Sequence, residues 1–482
     1  MSQSAKSETG LTSFLFAALA MVVVVAAFRV PFLSNILIGE EGTFAYLVLG
    51  QKPVIHGLDA ALVGRIDGID RLVFPEHNIL MYEFLDIVGR GVGRVLPLCR
   101  DGSMECTTIE ARAPFLALFL LGLAAAMLAV RKWFAFDRPL TLAIQLLVLL
   151  YVTSAPLIVG GSIQPQIDGA LGVLVLATAA AFLLASDTPR SPARLVWASF
   201  AGIALVVGKN EWALALAGAV FVVLVLAVVF TFNVRSRRWD FAAAAPTFGC
   251  CGIILLGVAA GQVLNYLYAP DAYAATFAVM ERIDAMKLSA LDQLRRTWGL
   301  SYPVLLTCGV TLALIAPRLK HYCLHHPVVV IVAGWGAAIV VAYAYSGFSG
   351  DGFQRYYCPA GVLACIALMC VIRDLYLPRL LAAGAAFGLV VGIGLNSASL
   401  ADSYRRAVSI SSSPGTGLER VKNRYAAFAR AYNGIPLLEE SPIGLYYRNI
   451  DWIALDMGEE GAVLFIRQVR PDGPTDFLRR PP

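Results

Sequence analysis

Stretches of about twenty apolar residues recur along this chain, and each is long enough to cross a lipid bilayer as a helix. Of its 482 residues, 58% are hydrophobic and only 15% are charged, whereas a soluble protein usually has about 25% charged residues. The apolar runs are too long and too uniform for barrel strands, in which side chains alternate between two faces. The composition therefore predicts an all-α polytopic membrane protein.

The hydropathy pattern predicts eleven spans. Their approximate limits are 11–33, 113–130, 139–158, 167–185, 195–208, 212–233, 242–266, 302–317, 327–345, 359–372 and 380–398. No clear small-residue cleavage site follows the first run, so we interpret it as a transmembrane helix and not as a signal peptide.

Lysine and arginine are concentrated in alternate short loops. Twelve of these residues lie in five loops, whereas the short loops between them contain only Lys209 and Arg355. The five basic loops are 131–138, 186–194, 235–240, 318–326 and 373–379. By the positive-inside rule these loops and the N-terminus face the cytoplasm, and the C-terminus lies outside. Topology accounts for the net charge of +5 without a nucleic-acid partner.

Three longer segments are predicted to lie outside the cell, at 34–112, 267–301 and 401–482. Within the first, residues 79–96 place four charged side chains on one helical stripe, which is typical of a helix in the membrane interface. The last segment mixes helical and strand-like runs. We therefore expect a transmembrane domain over 1–400, with interfacial helices in its first outer loop, and a small extracytoplasmic α+β domain over 401–482.

Ionisable residues also gather at the predicted outer ends of the spans. They are Glu40, Glu41, Asp168, Lys209, Glu211, Asp351 and Arg355. Charges at this depth are costly and are usually paired or functional. Because these residues come from different loops on one predicted face, they indicate a single polar site beneath the first outer loop.

The residue types in this set suit group transfer from a lipid-linked donor. A carboxylate can deprotonate an acceptor hydroxyl as general base, and lysine or arginine can hold a departing phosphate. A divalent cation such as Mg²⁺, Mn²⁺ or Zn²⁺, held between carboxylates and phosphate, could share that charge. An apolar groove between spans would accept an isoprenoid tail.

Each residue also has a purely structural interpretation. Glu40 and Glu41 would suit a solvated loop, Asp168 a helix N-terminus, and Lys209 a position near lipid headgroups. Arg355 would suit an interfacial anchor beside Tyr356 and Tyr357, and His77 an ordinary loop histidine. Their shared side of the membrane favours the functional interpretation.

The order of the local motifs resembles that of the GT-C glycosyltransferases, in particular the branch with protein mannosyltransferases and the lipid A aminoarabinose transferase. The matching stretches are GEEGTFAY with Glu40, Glu41 and Tyr46; PEHNILMYEFL with His77, Leu80 and Tyr82; EARAPFLALFLLGL; QPQIDGAL with Asp168; VVGKNEW with Lys209; and RYYCP with Arg355, Tyr356 and Pro359. Glu40 stands where the family usually has aspartate, and two prolines that the family has after its His/Lys position are missing here.

This resemblance implies roles for individual residues. Glu40 would be the catalytic base, Glu41 would support it or bind metal, and Asp168 would position the acceptor or a cation. Lys209, Arg355 and Tyr356 would hold the donor phosphate. His77 would join Glu41 and Asp168 as a metal ligand.

The function implied is transfer of a sugar from a polyprenyl-phosphate donor to an acceptor hydroxyl on the extracytoplasmic face, with inversion at the anomeric carbon. The acceptor could be a glycolipid, a glycan or a protein, and membrane lipids surround the spans. Apolar runs rich in Ala, Val and Gly indicate a bacterial inner membrane. Two alternatives are a transporter or flippase for a lipid-linked or anionic solute, with Gln145 and Gln262 as mid-span polar groups, and an inactive scaffold.

Overall fold

The structure is a computed structural model, and it describes twelve stretches of the chain. These are residues 3–33, 104–163, 171–184, 192–208, 210–233, 238–268, 290–346, 356–376, 378–412, 453–456, 463–470 and 473–477.

The described residues contain thirteen α-helices. They are α1 (Gln3–Ala27), α2 (Met104–Ala129), α3 (Pro139–Thr153), α4 (Pro156–Gly161), α5 (Leu171–Leu184), α6 (Pro192–Gly208), α7 (Asn210–Thr231), α8 (Phe241–Tyr268), α9 (Ala290–Ile315), α10 (Leu319–His325), α11 (Pro327–Ser346), α12 (Cys358–Asp374) and α13 (Arg379–Ser412). Several helices begin at a proline, which has no N–H to leave unpaired in the first turn and whose fixed φ suits a helix start.

Each of the eleven predicted apolar runs overlaps one of the longer helices, and α4 and α10 are short additions. Helices α2 and α9 begin nine and twelve residues before the predicted runs, within segments that were predicted to be outer loops. Seven stretches within the described helices are long and apolar enough to cross a membrane, by length and composition. Helices α3, α5 and α6 contain shorter apolar stretches. The protein is thus an integral membrane protein of helical type, and the span count of eleven stays a prediction.

One end of the helix bundle gathers three of the predicted cytoplasmic loops, and we call it the basic end (residues 131–138, 318–326 and 373–376). The Arg138 guanidinium donates to the backbone carbonyl oxygens of Arg373 and Leu375. Arg318 donates to the Asp374 carbonyl oxygen at 2.6 Å, and the Tyr322 hydroxyl donates to the Asp374 carboxylate at 2.9 Å. These loops, predicted to share one side of the membrane, therefore lie together in the fold.

Helix α12 forms the centre of the bundle, because its residues from Cys358 to Ile372 are buried without interruption. A helix that is apolar on all sides is typical of a position inside a bundle. Small residues bring its neighbours close: a Cβ on Gly336 of α11 would lie 3.1 Å from the Ala360 carbonyl oxygen. A Cβ on Gly361 would lie 2.8 Å from a methyl of Val304 in α9.

The strands are few among the described residues. Strands β1 (Phe232–Asn233) and β2 (Arg238–Trp239) form an antiparallel pair between α7 and α8. Strands β3 (Ile453–Asp456), β4 (Val463–Arg470) and β5 (Gly473–Phe477) form an antiparallel sheet near the C-terminus.

The predicted C-terminal domain is only partly described. Strand β4 coincides with the strand-like run at 462–469, whereas the run at 443–447 and the helical stretch at 418–432 lie outside the described residues. Helix α13 continues to Ser412, past the predicted boundary at residue 400. The division into two domains stays a prediction.

Candidate functional site

Of the seven residues to which the family resemblance assigns roles, six lie outside the described residues. They are Glu40, Glu41, His77, Asp168, Lys209 and Arg355. The seventh, Tyr356, is described, and so are chain segments next to the other residues. The positions of these flanking segments show which parts of the chain meet at the end of the bundle opposite the basic end, which we call the site end (Arg29, Ser162, Trp212 and Cys358).

Tyr356 lies directly before α12 and packs against α11. Its ring stacks on that of Tyr343, with the ring centroids 4.8 Å apart and the planes inclined by 12°. Tyr356 is half-buried, whereas its neighbour Tyr357 is 1% exposed. The stacked pair fixes the start of α12 against α11, one residue after the predicted phosphate ligand Arg355.

Arg29 joins the end of the first apolar run to the segment that precedes Asp168. Its Nε donates to the Ser162 hydroxyl at 2.7 Å, and one Nη donates to the Thr153 carbonyl oxygen at 3.1 Å. Arg29 is fully buried. The segments that continue toward Glu40 and toward Asp168 are therefore in direct contact.

The start of α12 packs against the same segment. A Cβ on Gly161 would lie 2.8 Å from the Cys358 sulfur, so the two chains approach more closely than larger residues would allow. The Cys358 thiol also donates to the Leu157 carbonyl oxygen at 3.2 Å. Both contacts place the residues that follow Arg355 next to α4 and Ser162.

Helix α11 connects the start of α12 with the start of α7. The Trp335 indole N–H donates to the Trp212 carbonyl oxygen at 2.8 Å, and the adjacent Gly336 packs against Ala360. Trp212, which follows Lys209 by three residues, is 1% exposed. The contacts from Arg29 to Trp212 thus form a continuous series across the site end.

The predicted ligands nearest to this series in sequence are Lys209, Asp168 and Arg355, and all three lie outside the described residues. In sequence, Lys209 precedes Trp212 by three residues, Asp168 follows Ile163 by five, and Arg355 directly precedes Tyr356. The described residues that flank the predicted ligands therefore belong to segments that meet.

A second buried arginine lies near the end of the first apolar run. Arg112, in the first turns of α2, is 5% exposed and donates to the Phe32 carbonyl oxygen at 2.6 Å. It belongs to the EARAPFLALFLLGL stretch that resembles the arginine-led second span of the family. The contact holds the start of α2 against the chain that leads to Glu40.

The metal prediction concerns Glu41, Asp168 and His77, which all lie outside the described residues. Within the stretches that the structure describes, no group of three His, Cys, Asp or Glu side chains is placed to hold a metal ion.

Sequence reasoning passed over Arg29, which lies inside the predicted span 11–33. The sequence nevertheless marks Arg29 as unusual, because a charged residue within an apolar run is uncommon and usually functional. An arginine near the end of a span is ordinarily expected to extend toward the lipid headgroups. The structure instead turns this side chain into the bundle, where it is 0% exposed.

The fold and the buried polar residues at the site end define a helical integral membrane protein. No protein-family profile matches the chain, and no curated protein matches it. Solved structures similar to this chain include those of ArnT from Cupriavidus metallidurans bound to undecaprenyl phosphate and in the apo state. In each case the identity is 20%, the match covers 90% of this chain and 74% of that chain, and the TM-score is 0.48. ArnT is the lipid A aminoarabinose transferase, an enzyme of the branch that the sequence motifs resemble.

Proposed function

We propose that this protein is an integral-membrane glycosyltransferase that moves a sugar from a polyprenyl-phosphate donor to an acceptor hydroxyl. The reaction takes place on the extracytoplasmic face and inverts the anomeric centre. The acceptor is a glycolipid, a glycan or a protein.

The observation that carries the proposal is the agreement between the order of the motifs and the contacts at the site end. Segments next to Asp168, Lys209 and Arg355 lie in one continuous series of contacts, although they are far apart in sequence. A site for one phosphodiester requires this arrangement, because its ligands come from several loops. An apolar groove between spans, as expected from the sequence, would hold the polyprenyl chain of the donor.

In the proposed reaction Glu40 accepts the proton of the acceptor hydroxyl. The hydroxyl oxygen then forms a bond to the anomeric carbon while the bond from that carbon to the phosphate oxygen breaks. The polyprenyl phosphate departs with one more negative charge, which Lys209, Arg355 and the Tyr356 hydroxyl stabilise. Glu41 supports Glu40, and Asp168 orients the acceptor.

The transporter alternative uses Gln145 as a polar group in the middle of a span, but hydrogen bonds within the fold explain this residue. The Gln145 amide nitrogen donates to the carbonyl oxygens of Trp133 and Met369, and its amide oxygen accepts from the Ala135 N–H. Gln145 is fully buried and ties α3 to the loop at 131–138 and to α12. It therefore serves packing at the basic end and does not line a solute pathway.

A transfer assay tests the proposal with the purified protein, radiolabelled polyprenyl-phosphate sugars and a bacterial membrane-lipid extract as acceptor. We expect label to leave the donor and to appear in an acceptor product. Glu40→Gln should reduce the rate by about 10²- to 10⁴-fold, which is the usual contribution of a general base. Thermal unfolding should be unchanged, since the substitution preserves side-chain shape.

Asp402→Asn provides the control for this experiment. It makes the same carboxylate-to-amide change at an exposed residue of α13 whose carboxylate pairs with Arg405, and it should keep full activity. A fully active Glu40→Gln protein would falsify the assignment of the base. Movement of intact donor across vesicle membranes without cleavage would instead identify a flippase.

A divalent cation at Glu41, Asp168 and His77 is part of the same proposal. These side chains offer the carboxylate and imidazole ligands that such ions accept. Chelation followed by return of Mg²⁺, Mn²⁺ or Zn²⁺ in the transfer assay tests it, and activity that is indifferent to chelators would contradict it.

A further inference from the structure

The basic end carries far more positive than negative charge. Its three segments, 131–138, 318–326 and 373–376, contain six lysine and arginine residues, two aspartates and three histidines. The two other loops predicted on the same side, 186–194 and 235–240, also contain more arginines than aspartates. These neighbouring loops therefore add to the excess of positive charge and do not neutralise it.

Two of the arginines are held in place at the end of α12. Arg138 donates to the backbone carbonyl oxygens of Arg373 and Leu375. Arg318 donates to the carbonyl oxygen of Asp374 at 2.6 Å. The last carbonyls of a helix have no partner within the helix, and cations are favourable beside them. Because the acceptors are neutral carbonyls, these hydrogen bonds position the two charges without cancelling them.

The two aspartates offset only part of the charge. The Asp374 carboxylate accepts a hydrogen bond from the Tyr322 hydroxyl at 2.9 Å. The Asp137 carboxylate lies 3.8 Å from the Nε of Arg138 in an exposed pair, and exposed pairs of this kind are weak. At most two of the six cations are therefore balanced by carboxylates of the basic end.

Lys132 and the three histidines lie around Trp133. The Nζ of Lys132 is 5.9 Å from the centroid of the Trp133 ring, and the His326 ring meets that ring edge-to-face at 4.7 Å. The His321 ring lies 5.5 Å from that of His326 and 5.0 Å from that of His325. Lys132 is half-buried, and His321 and His325 are exposed. Side chains from two distant segments thus form one cluster that a ligand can reach.

The basic end also lies at the level of the membrane surface. Candidate spans end at Ala129 and His325, and others begin at Pro327 and Arg379. Phospholipid headgroups form the layer that adjoins the ends of membrane spans. Basic pockets between membrane helices on the cytoplasmic side bind anionic headgroups. The phosphate of a phospholipid can therefore reach this cluster from within the membrane.

Exposed apolar side chains next to the basic end distinguish a lipid from a soluble anion. Tyr376 is 91% exposed, and Leu380 and Leu381 in the first turn of α13 are 85% and 62% exposed. These side chains offer a surface for acyl chains, which a soluble phosphate does not have. Positive charge beside apolar surface is complementary to an anionic phospholipid.

We propose that the basic end binds an anionic phospholipid from the leaflet that adjoins it. The Lys132 ammonium and the ring N–H groups of His321 and His325 hold the phosphate. Arg138 and Arg318, fixed at the end of α12, add positive potential around it. This site lies at the opposite end of the bundle from the proposed catalytic site and does not depend on the proposed function.

The test measures lipid binding to the purified protein by native mass spectrometry. The two lipids are phosphatidylglycerol, which is anionic, and phosphatidylcholine, which has no net charge, with identical acyl chains. Lys132→Gln removes a charge of the proposed site, whereas Lys132→Arg keeps it. Arg405→Gln is the matched control, because Arg405 is an exposed cation of α13 next to Tyr404, whose ring contacts Phe32 near the site end.

We expect the wild type to bind phosphatidylglycerol more tightly than phosphatidylcholine. Lys132→Gln should weaken the binding of phosphatidylglycerol about fivefold, which is the usual effect of one basic residue near an anionic membrane surface. Its binding of phosphatidylcholine should not change. Lys132→Arg and Arg405→Gln should keep the lipid preference of the wild type.

Three results would overturn the inference. The first is equal affinity of the wild type for the two lipids, and the second is unchanged binding of phosphatidylglycerol by Lys132→Gln. The third is an equal loss in Arg405→Gln, which would mean that positive charge anywhere on the surface attracts the lipid. If Lys132→Gln cannot be purified, His321→Gln at an exposed residue decides in the same way, because it should also weaken the binding of phosphatidylglycerol.

Glycerol 3-phosphate, which carries a phosphate without acyl chains, distinguishes a lipid site from a site for a soluble anion. At equal concentration and constant ionic strength, it should not displace phosphatidylglycerol. Displacement under these conditions would assign the cluster to a soluble phosphate and overturn the lipid assignment. The transfer assay is separate from these measurements, so a failure of lipid binding at the basic end leaves the proposed function intact.

Discussion

Arg29 and Gln145 are both buried in an apolar bundle, yet their surroundings differ in kind. Gln145 has its amide oxygen and nitrogen paired with backbone groups, so its polarity is used entirely within the fold. The hydrogen bonds of Arg29 to other described residues go to a hydroxyl and to backbone carbonyl oxygens. At the scale of the residue, both buried side chains join segments that are far apart in the sequence.

His326 lies at the basic end, outside the candidate spans on either side of it. Its ring meets that of Trp133 edge-to-face at 4.7 Å and lies 5.5 Å from that of His321. Burial lowers the pKa of His326 below its ordinary value of 6.5, and the charges of His321, Lys132 and His325 lower it further, whereas Asp374 acts in the opposite direction. The folded protein therefore favours the neutral imidazole.

This pKa shift predicts that the protein loses stability in mild acid. Because the pKa is lower in the folded than in the unfolded state, stability is full above pH 6.5 and falls as pH drops through the window below it. The thermal unfolding midpoint, measured from pH 8 downward, should fall more steeply in the wild type than in His326→Gln.

His325→Gln is the control for the pH experiment, because His325 is an exposed histidine one residue away. We expect it to keep most of the pH dependence of the wild type, because burial is the largest cause of the lowered pKa of His326 and His325 is the smallest. An unchanged pH profile in His326→Gln would show that other groups cause the acid sensitivity.

At the scale of the element, glycines decide which helices can touch. A Cβ on Gly172 of α5 would lie 2.6 Å from the backbone carbonyl oxygen of Leu118 and from the backbone N of Phe119, both in α2. A Cβ on Gly202 of α6 would lie 2.7 Å from the Cα of Gly257 in α8. Small residues at such crossings let helix backbones approach closely, as is common in membrane proteins.

Gly172→Ala should therefore destabilise the protein, even though alanine is the better helix former. The added methyl group meets backbone atoms that cannot rotate away, and overpacking of this kind costs roughly 1–3 kcal/mol. The measurement is the thermal unfolding midpoint of the purified protein, which should fall.

Gly218→Ala in α7 makes the same chemical change where a Cβ would meet nothing within 4 Å. It should leave the midpoint unchanged or raise it slightly, because alanine reduces the freedom of the unfolded chain. Equal effects of the two substitutions would show that helix propensity, and not the close crossing of α2 and α5, dominates.

At the scale of the whole molecule, the bundle has two chemically different ends. Helix α1 begins near the basic end, where Phe14 meets the rings of Phe134 and Phe136, and leads to Arg29 at the site end. Helix α13 likewise begins beside the basic loop at 373–376, and its Asn396 donates to the Tyr151 carbonyl oxygen near the end of α3. Both helices run from the basic end toward the site end.

This arrangement, together with the positive-inside rule, predicts that the site end and the C-terminus lie outside the cytoplasm. Alkaline phosphatase fused to the C-terminus should be active, and green fluorescent protein fused there should be dark. The same reporters inserted in loop 131–138 should give the opposite pattern. If the C-terminal green fluorescent protein fusion were fluorescent and the C-terminal phosphatase fusion inactive, the predicted orientation would be wrong.

The amino-acid pattern alone determined that the chain forms apolar helices and roughly where they lie, although α2 and α9 begin nine and twelve residues before the predicted runs. It also predicted that the loops 131–138, 318–326 and 373–379 share a side, and the structure brings their described residues together. Those properties depend on local hydropathy, proline positions and loop charge, which can be identified in the sequence without knowledge of tertiary contacts. Strand β4 was likewise indicated by its own apolar run.

Only the tertiary structure decided which buried polar groups face one another. Arg29 and Ser162 are separated by 133 residues, and Trp212 and Trp335 by 123 residues, so no local pattern could pair them. The close helix crossings at Gly172 and Gly202 could not be predicted from the sequence either. Gly218 is also a glycine in an apolar helix, yet a Cβ there would meet nothing within 4 Å. Contacts between distant segments depend on how the helices pack, and helix packing is a property of the whole bundle.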